Sequence, residues 1–161
     1  MTPFIIALVA LVFAICFFTL FPIIKRAILS NNFKRIFTRK VLKISKRNNF
    51  LHLENLKLQS YNDNEVEINQ VICGKKYIYL IKDYCHFGIL SGKANDNSWI
   101  ELNKSKRSLE YVDNMFNENE RAAKVFSRLS KINESMLVPV SLLNDECDIR
   151  LEKREKGLNF V

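Results

Sequence analysis

An uninterrupted run of apolar side chains occupies the N-terminal part of the chain. No residue from Phe4 to Ile24 is charged, and a helix of that length would span roughly 31 Å at about 1.5 Å per residue, close to the hydrocarbon thickness of a bilayer. Pro22 lies in the last turn of this run, where a local break is tolerated at the membrane interface. The pattern therefore predicts one transmembrane helix over residues 4–24.

The residues that flank this run predict its fate and its orientation. No Lys or Arg precedes it and no small-x-small cleavage site follows it, so we expect a retained anchor and not a cleaved signal peptide. Between Lys25 and Arg47 there are nine cations and no acid. Because cations are enriched on the cytoplasmic side, we expect a single-pass protein of the cell membrane with its N-terminus outside and its C-terminal domain in the cytoplasm.

Residues 25–48 predict a basic amphipathic stem helix. Apolar residues recur there at helical spacing, namely Phe33, Ile36, Phe37, Val41 and Ile44. The chain has a net charge of +8 and this segment carries +9, so the basic character is local. We expect its cations to contact the phosphates of anionic lipid headgroups or of nucleic acid, through Lys34, Arg35, Arg39, Lys40 and Lys43. The apolar stripe can lie in the lipid interface or pack as the first helix of the following domain.

From residue 49 to residue 161 the period changes to that of a folded domain. Alternating or apolar runs predict strands over 50–58, 66–72, 76–82, 88–92, 98–102 and 136–143, with short segments at 147–153 and 158–161 that could close the sheet. Pro139 predicts that the strand over 136–143 lies towards an edge, or is a strand whose hydrogen-bond donor faces outward. A helix is predicted over 103–131, with a buried stripe formed by Leu109, Val112, Phe116, Ala123, Phe126 and Leu129. This order predicts an α+β fold, an α/β sandwich around one mixed sheet.

The two strands on either side of Gly74 form a predicted hairpin with a distinctive polar pattern. Strict alternation would place Val66, Ile68, Gln70 and Ile72 on one face of the first strand and Glu65, Glu67, Asn69 and Val71 on the other. The sequence then continues with Gly88-Ile89-Leu90-Ser91-Gly92 and with Trp99, which we expect to be buried between the sheet and the following helix. No Cys or His spacing typical of a zinc site occurs, so the four cysteines (Cys16, Cys73, Cys85 and Cys147) are expected to be reduced thiols.

This order of motifs resembles the NERD (nuclease-related) domain, a branch of the restriction-endonuclease-like nucleases. The motifs that carry the resemblance are Glu67-Ile68-Asn69-Gln70, the strand that ends Lys82-Asp83-Tyr84, the pair Gly88 and Gly92, and Trp99. The resemblance covers residues 49–161. It implies a restriction-endonuclease-like mixed sheet flanked by helices, here preceded by a transmembrane helix.

The resemblance also implies a metal site, which this sequence does not preserve. Nucleases of this class hold divalent metals with carboxylates and orient water with a lysine. Asn69 stands where the family has Asp, Lys82 where it has Glu, and Tyr84 where it has Lys, and the basic stem lacks the family's early Gly-Glu motif. Sliding the alignment by one residue brings Asp83 to the Glu position but places Cys85 at the Lys position, and it turns the strand over.

We therefore expect a degenerate site without metal, cofactor or catalysis, on a domain that acts in binding. Two alternatives remain open from the sequence. The protein is an active Mg²⁺-dependent nuclease that uses the displaced acids Glu67 and Asp83, or it is a membrane-anchored adaptor unrelated to nucleases whose sheet serves a protein partner. In the degenerate site we expect Glu67 to neutralise Lys82 across the hairpin.

Overall fold

The computed structural model describes residues 2–59, 65–103 and 107–152, with side chains from Ile5 onward. The chain divides into two compact units, residues 1–36 and residues 37–161. The second unit contains all eight strands and the second helix of the described chain. The predicted short segment at 158–161 lies outside the described residues.

Helix α1, Thr2–Asn48, contains both the predicted transmembrane segment and the predicted stem. Pro22 lies inside this helix without ending it. Its apolar part reaches a mean hydropathy of 2.8, which makes α1 long and apolar enough to cross a membrane. Lys46 and Arg47 occupy the last turn, where cations favour the negative end of the helix dipole. Asn49 follows with φ 55°, the left-handed conformation that commonly ends a helix.

The strands form two four-stranded sheets. The first sheet has the order β1-β2-β3-β7, with β3 and β7 parallel and the other pairs antiparallel. Its strands are β1 Leu51–Gln59, β2 Glu65–Cys73, β3 Ile78–Tyr84 and β7 Leu137–Leu143. The edge position predicted for the strand that contains Pro139 is confirmed, because among the described strands β7 pairs only with β3.

The second sheet has the order β6-β5-β4-β8, with β4 and β8 parallel. Its strands are β4 Ile89–Lys93, β5 Ser98–Asn103, β6 Ser108–Asp113 and β8 Asp148–Glu152. The α+β class is confirmed, but the expectation of one sheet is wrong. Each of the two sheets contains a parallel pair, since β7 and β8 return to pair with β3 and β4.

Helix α2 is shorter than the sequence pattern predicted. It spans Met115–Ser130, and residues 108–113 form strand β6 instead of the first turns of a helix. Asn114 sets the boundary, because its side chain accepts hydrogen bonds from the amides of Phe116 (2.9 Å) and Asn117 (3.3 Å) and so caps the helix. The predicted stripe is correspondingly wrong at its ends: Leu109 and Leu129 are exposed.

The first sheet is covered on both faces, as the sandwich prediction required. Val71 and Leu80 pack in one apolar cluster with Ala122 and Val125 of α2. Ile72 and Ile81 pack in another cluster with Val41 from the C-terminal part of α1. Adjacent residues of a strand point to opposite faces, so α2 and the C-terminal part of α1 lie on opposite sides of the sheet.

The glycines and the tryptophan of the sequence motif serve packing. Trp99 is fully buried, as predicted, with its ring 4.9 Å from that of Phe116 in an edge-to-face arrangement. A Cβ at Gly92 would lie 2.7 Å from Cδ1 of Trp99, and a Cβ at Gly88 would lie 2.2 Å from the carbonyl oxygen of Leu102. Both positions therefore require the absence of a side chain.

Candidate functional site

The end of β3 and the first turn of α2 bring together one carboxylate, one ammonium and one phenol. Lys82 Nζ donates to Oε1 of Glu118. Tyr84 donates its hydroxyl proton to Oε2 of the same carboxylate at 2.8 Å. Both oxygens of Glu118 are therefore engaged by side chains that stand two residues apart on one strand face.

The fold places Glu118 at this point through the phase of α2. Met115 and Ala122, three residues before it and four after it, are fully buried, so Glu118 lies next to the buried face of the helix. The adjacent Asn119 donates from Nδ2 to Oγ of Ser141 at 3.3 Å, and Ser141 is the β7 residue in register with Lys82. The helix is thus held against the same strands that carry Lys82 and Tyr84.

Electrostatics favour the protonated form of the phenol. Burial raises the pKa of Tyr84 well above its usual range, and the negative charge of Glu118 raises it further. The Lys82 side chain is 14% exposed and that of Glu118 is 44% exposed, so this ion pair is only partly shielded from water. Tyr84 is consequently a hydrogen-bond donor here, not a base or a nucleophile.

Asn69 lies beside this cluster but contacts the backbone. Its Oδ1 accepts from the amide of Asp83 at 3.4 Å, across the hairpin. Val66, Ile68 and Val71 all belong to one apolar cluster, although residues three apart point to opposite faces in a regular strand. The alternation is therefore interrupted between Ile68 and Val71.

The opposing strand is also irregular at this point. Asn55, between the paired residues Glu54 and Leu56 of β1, has φ 51°. The expectation that Glu67 and Val71 share a face is wrong. The interruption between Ile68 and Val71 places Val71 on the face of Val66 and Ile68, opposite to Glu67.

The displaced acids Glu67 and Asp83 lie on strands β2 and β3. Glu67 stands opposite Lys57 on β1, and Asp83 lies between Lys82 and Tyr84, so its side chain leaves the strand on the other face. The ion pair that the structure shows for Lys82 is with Glu118, which comes from a helix and not from the hairpin. Within residues 2–59, 65–103 and 107–152, no three His, Cys, Asp or Glu side chains are grouped as metal ligands.

The side chains of Asn69, Lys82 and Tyr84, at the positions where the resemblance implies metal ligands and a lysine, do not fit a divalent cation. The ammonium group of Lys82 binds the carboxylate of Glu118 and would repel such an ion. The amide of Asn69 and the protonated phenol of Tyr84 are poor replacements for carboxylate ligands.

Glu118 was missed by the sequence reasoning, although a signal for it exists. Met115, Ala122 and Val125 recur at helical spacing, and Glu118 is the acid that falls on that stripe. The signal was hidden because the predicted helix began twelve residues too early, at Asn103, and its stripe was drawn in another phase.

A second polar group lies after β3, at His86. Its Nδ1 is 2.8 Å from Oε2 of the buried Glu101, whose other oxygen accepts from the amide of Phe87 at 3.1 Å. Burial raises the pKa of the nearby Cys85 thiol, and burial together with Glu101 raises that of Cys147 to about 11. Both thiols are therefore weak nucleophiles at neutral pH.

The cations predicted to bind phosphate lie on the surface of α1. Exposed side chains are found at all five positions, Lys34, Arg35, Arg39, Lys40 and Lys43. Lys40 Nζ also lies 5.2 Å from the ring centre of Phe37. These side chains are placed where an external phosphate can reach them.

Comparison with known proteins identifies the domain. The family model described as NERD, nuclease-related domain, matches residues 31–143, more than half of the 161-residue chain. The match begins within α1 and ends with β7. No curated protein and no solved structure shows significant similarity to the chain.

Proposed function

Because the chain belongs to the nuclease-related domain family, we propose that it is a membrane-anchored member that has lost metal-dependent nuclease chemistry and acts by binding. Helix α1 would anchor it, with the N-terminus outside and the C-terminal domain in the cytoplasm. Family membership removes the alternative of a sheet unrelated to nucleases.

One observation carries the loss of catalysis: Glu118 binds Lys82 and Tyr84 at the family's catalytic positions. A divalent ion is retained in such a site by the negative field of several carboxylates. Here the ammonium of Lys82 already neutralises the carboxylate of the cluster. A metal would have to displace that ammonium from Glu118.

The proposed binding role rests on the exposed cations of α1. Nine cations without an acid between Lys25 and Arg47 suit the phosphates of anionic lipid headgroups in the cytoplasmic leaflet. Nucleic acid offers the same chemistry, and crosslinking separates the two kinds of ligand. If the stem binds nucleic acid, short DNA should crosslink to the reconstituted protein, and its binding should weaken steeply with added salt.

The test of lost catalysis uses the full chain in nanodiscs with labelled DNA and RNA. We expect no cleavage with Mg²⁺ or Mn²⁺. The triple variant Asn69→Asp, Lys82→Glu, Tyr84→Lys places acids and a lysine at the family positions, next to Glu118. We expect slow metal-dependent cleavage from it, and loss of that cleavage when Glu118→Ala is added.

A matched control makes the same change in net charge as the triple variant, but at a position outside the Glu118 cluster. Lys76→Glu replaces an exposed cation before β3 and should confer no cleavage. If the unmodified chain cuts nucleic acid and stops cutting after Glu67→Ala or Asp83→Ala, the proposal is wrong and the displaced acids are catalytic.

A further inference from the structure

Strands β5 and β6 carry a block of exposed apolar side chains on one face. Ile100 and Leu102 are each 38% exposed, Leu109 is 70% exposed and Tyr111 is 81% exposed. We call these four residues the outer hairpin face. Single exposed apolar residues are common on soluble domains, but contiguous apolar patches mark interaction sites.

The register makes this patch contiguous. Ile100 stands directly opposite Tyr111, and Leu102 stands directly opposite Leu109. Side chains at such positions lie about 5 Å apart and contact one another. The intervening Trp99 and Glu101 are buried on the inner face, so the exposed face is apolar by alternation and not through local unfolding.

The charges around the patch are asymmetric. Arg107 is exposed at the end of the hairpin next to Leu109, and the sequence that joins β5 to β6 adds Lys104 and Lys106 without an acid. Glu110, the acid nearest to Leu109, belongs to the opposite face, where its carboxylate accepts from Oγ of Ser108 at 3.0 Å. Arg107 therefore adjoins the apolar side chains at one end of this face, and the exposed Asp113 lies at the other end, beyond Tyr111.

We infer that the outer hairpin face is a lipid-contact site, which rests against the anionic leaflet of the membrane that holds α1. This inference depends on the proposed anchoring and is independent of whether the domain cleaves nucleic acid. Tyr111 and the two leucines have the chemistry of the headgroup–acyl boundary, and Arg107 can bind a lipid phosphate.

The anchor makes a small contact sufficient. Four apolar side chains would hold a free protein on a bilayer only weakly, as a single acyl chain does. A domain on the same chain as a membrane-spanning helix meets that surface at high effective concentration, so the contact becomes intramolecular.

The test uses the full chain in liposomes that contain phosphatidylglycerol and phosphatidylcholine with brominated acyl chains. Trp99 is the single tryptophan and is fully buried, so it provides a constant background. Tyr111→Trp places a reporter on the patch, and Glu110→Trp places one on the other face of the same strand. We expect brominated lipid to quench about half of the emission that Tyr111→Trp adds, because the boundary lies within roughly 10 Å of the acyl chains.

The control reporter Glu110→Trp should be unaffected, and replacing phosphatidylglycerol by a neutral lipid should reduce the quenching of Tyr111→Trp. Leu109→Trp is the second reporter if Tyr111→Trp does not fold. The inference is overturned if the emission of Tyr111→Trp is equal with and without brominated lipid while the protein floats with the vesicles. The inference is also overturned if Tyr111→Trp is shielded from iodide but is not quenched by bromine, and if this shielding increases with protein density. A second copy of the chain would then cover the patch. Failure of the protein to float refutes the anchoring itself, whereas nuclease activity would refute only the proposed loss of catalysis.

Discussion

Replacing Trp99 by Ala should strongly destabilise the domain. The indole is fully buried with Leu90 and Met115, and its Nε1 donates to the carbonyl of Lys93 at 2.9 Å. Truncating a large buried aromatic costs about 3–5 kcal/mol. The neighbouring glycine cannot fill the space, since Gly92 has no side chain and lies against the indole ring.

The assay is pulse proteolysis of the full chain in detergent across a urea series, which follows the domain without requiring the lost fluorophore. At an m-value of about 2 kcal/mol per molar urea, the midpoint should fall by roughly 2 M. Trp99→Phe keeps a ring beside Phe116 but loses the hydrogen bond, and it should cost about 1–2 kcal/mol plus a smaller packing loss. Tyr111→Ala truncates an exposed aromatic and should stay within about 0.5 kcal/mol of the unmodified protein in detergent. A loss below about 1 kcal/mol for Trp99→Ala would refute the reasoning, because no core truncation of this size is that mild.

Three further outcomes follow from other parts of the molecule. The folded protein holds the pKa of Tyr84 above the ordinary value of 10.0. The free energy of unfolding should therefore be level below pH 10.0 and should fall above it by about 1.4 kcal/mol per pH unit. Tyr84→Phe should reduce this slope in urea titrations. Gly88→Ala should lower the thermal midpoint far more than Gly74→Ala, since the added Cβ meets backbone at 2.2 Å in the first case and 3.1 Å in the second; equal shifts would mean that the β4–β5 contact relaxes freely. A C-terminal fusion to alkaline phosphatase should be inactive and one to a fluorescent protein bright, whereas an active phosphatase would reverse the orientation expected from the cations after Ile24.

Much of the architecture could be predicted from local sequence patterns. The apolar run predicted the long N-terminal helix, and alternation predicted the hairpin of β2 and β3. Pro139 predicted an edge strand, and the order of Gly88, Gly92 and Trp99 predicted the family. Each of these features depends on residues close together in the chain, so periodicity and spacing were sufficient to find them.

Long-range contacts decided the rest. Residues 108–113 match a helical stripe, but they form β6 because Leu109 and Tyr111 pair with β5, and tertiary pairing overrides a weak local preference. The division into two sheets depends on β7 and β8 returning to β3 and β4, which no local pattern encodes.

The candidate site shows the same division between local and tertiary information. The sequence by itself predicted, through the resemblance to the family, that Asn69 and Lys82 stand where carboxylates are expected. Only the tertiary structure decided what replaced them, because Glu118 is 36 residues away from Lys82 in the chain. The capped start of α2 sets the helical phase that directs Glu118 toward β3, and the strand register places Lys82 and Tyr84 on the face that meets it. A partner selected by packing between two elements is not visible in the sequence of either one.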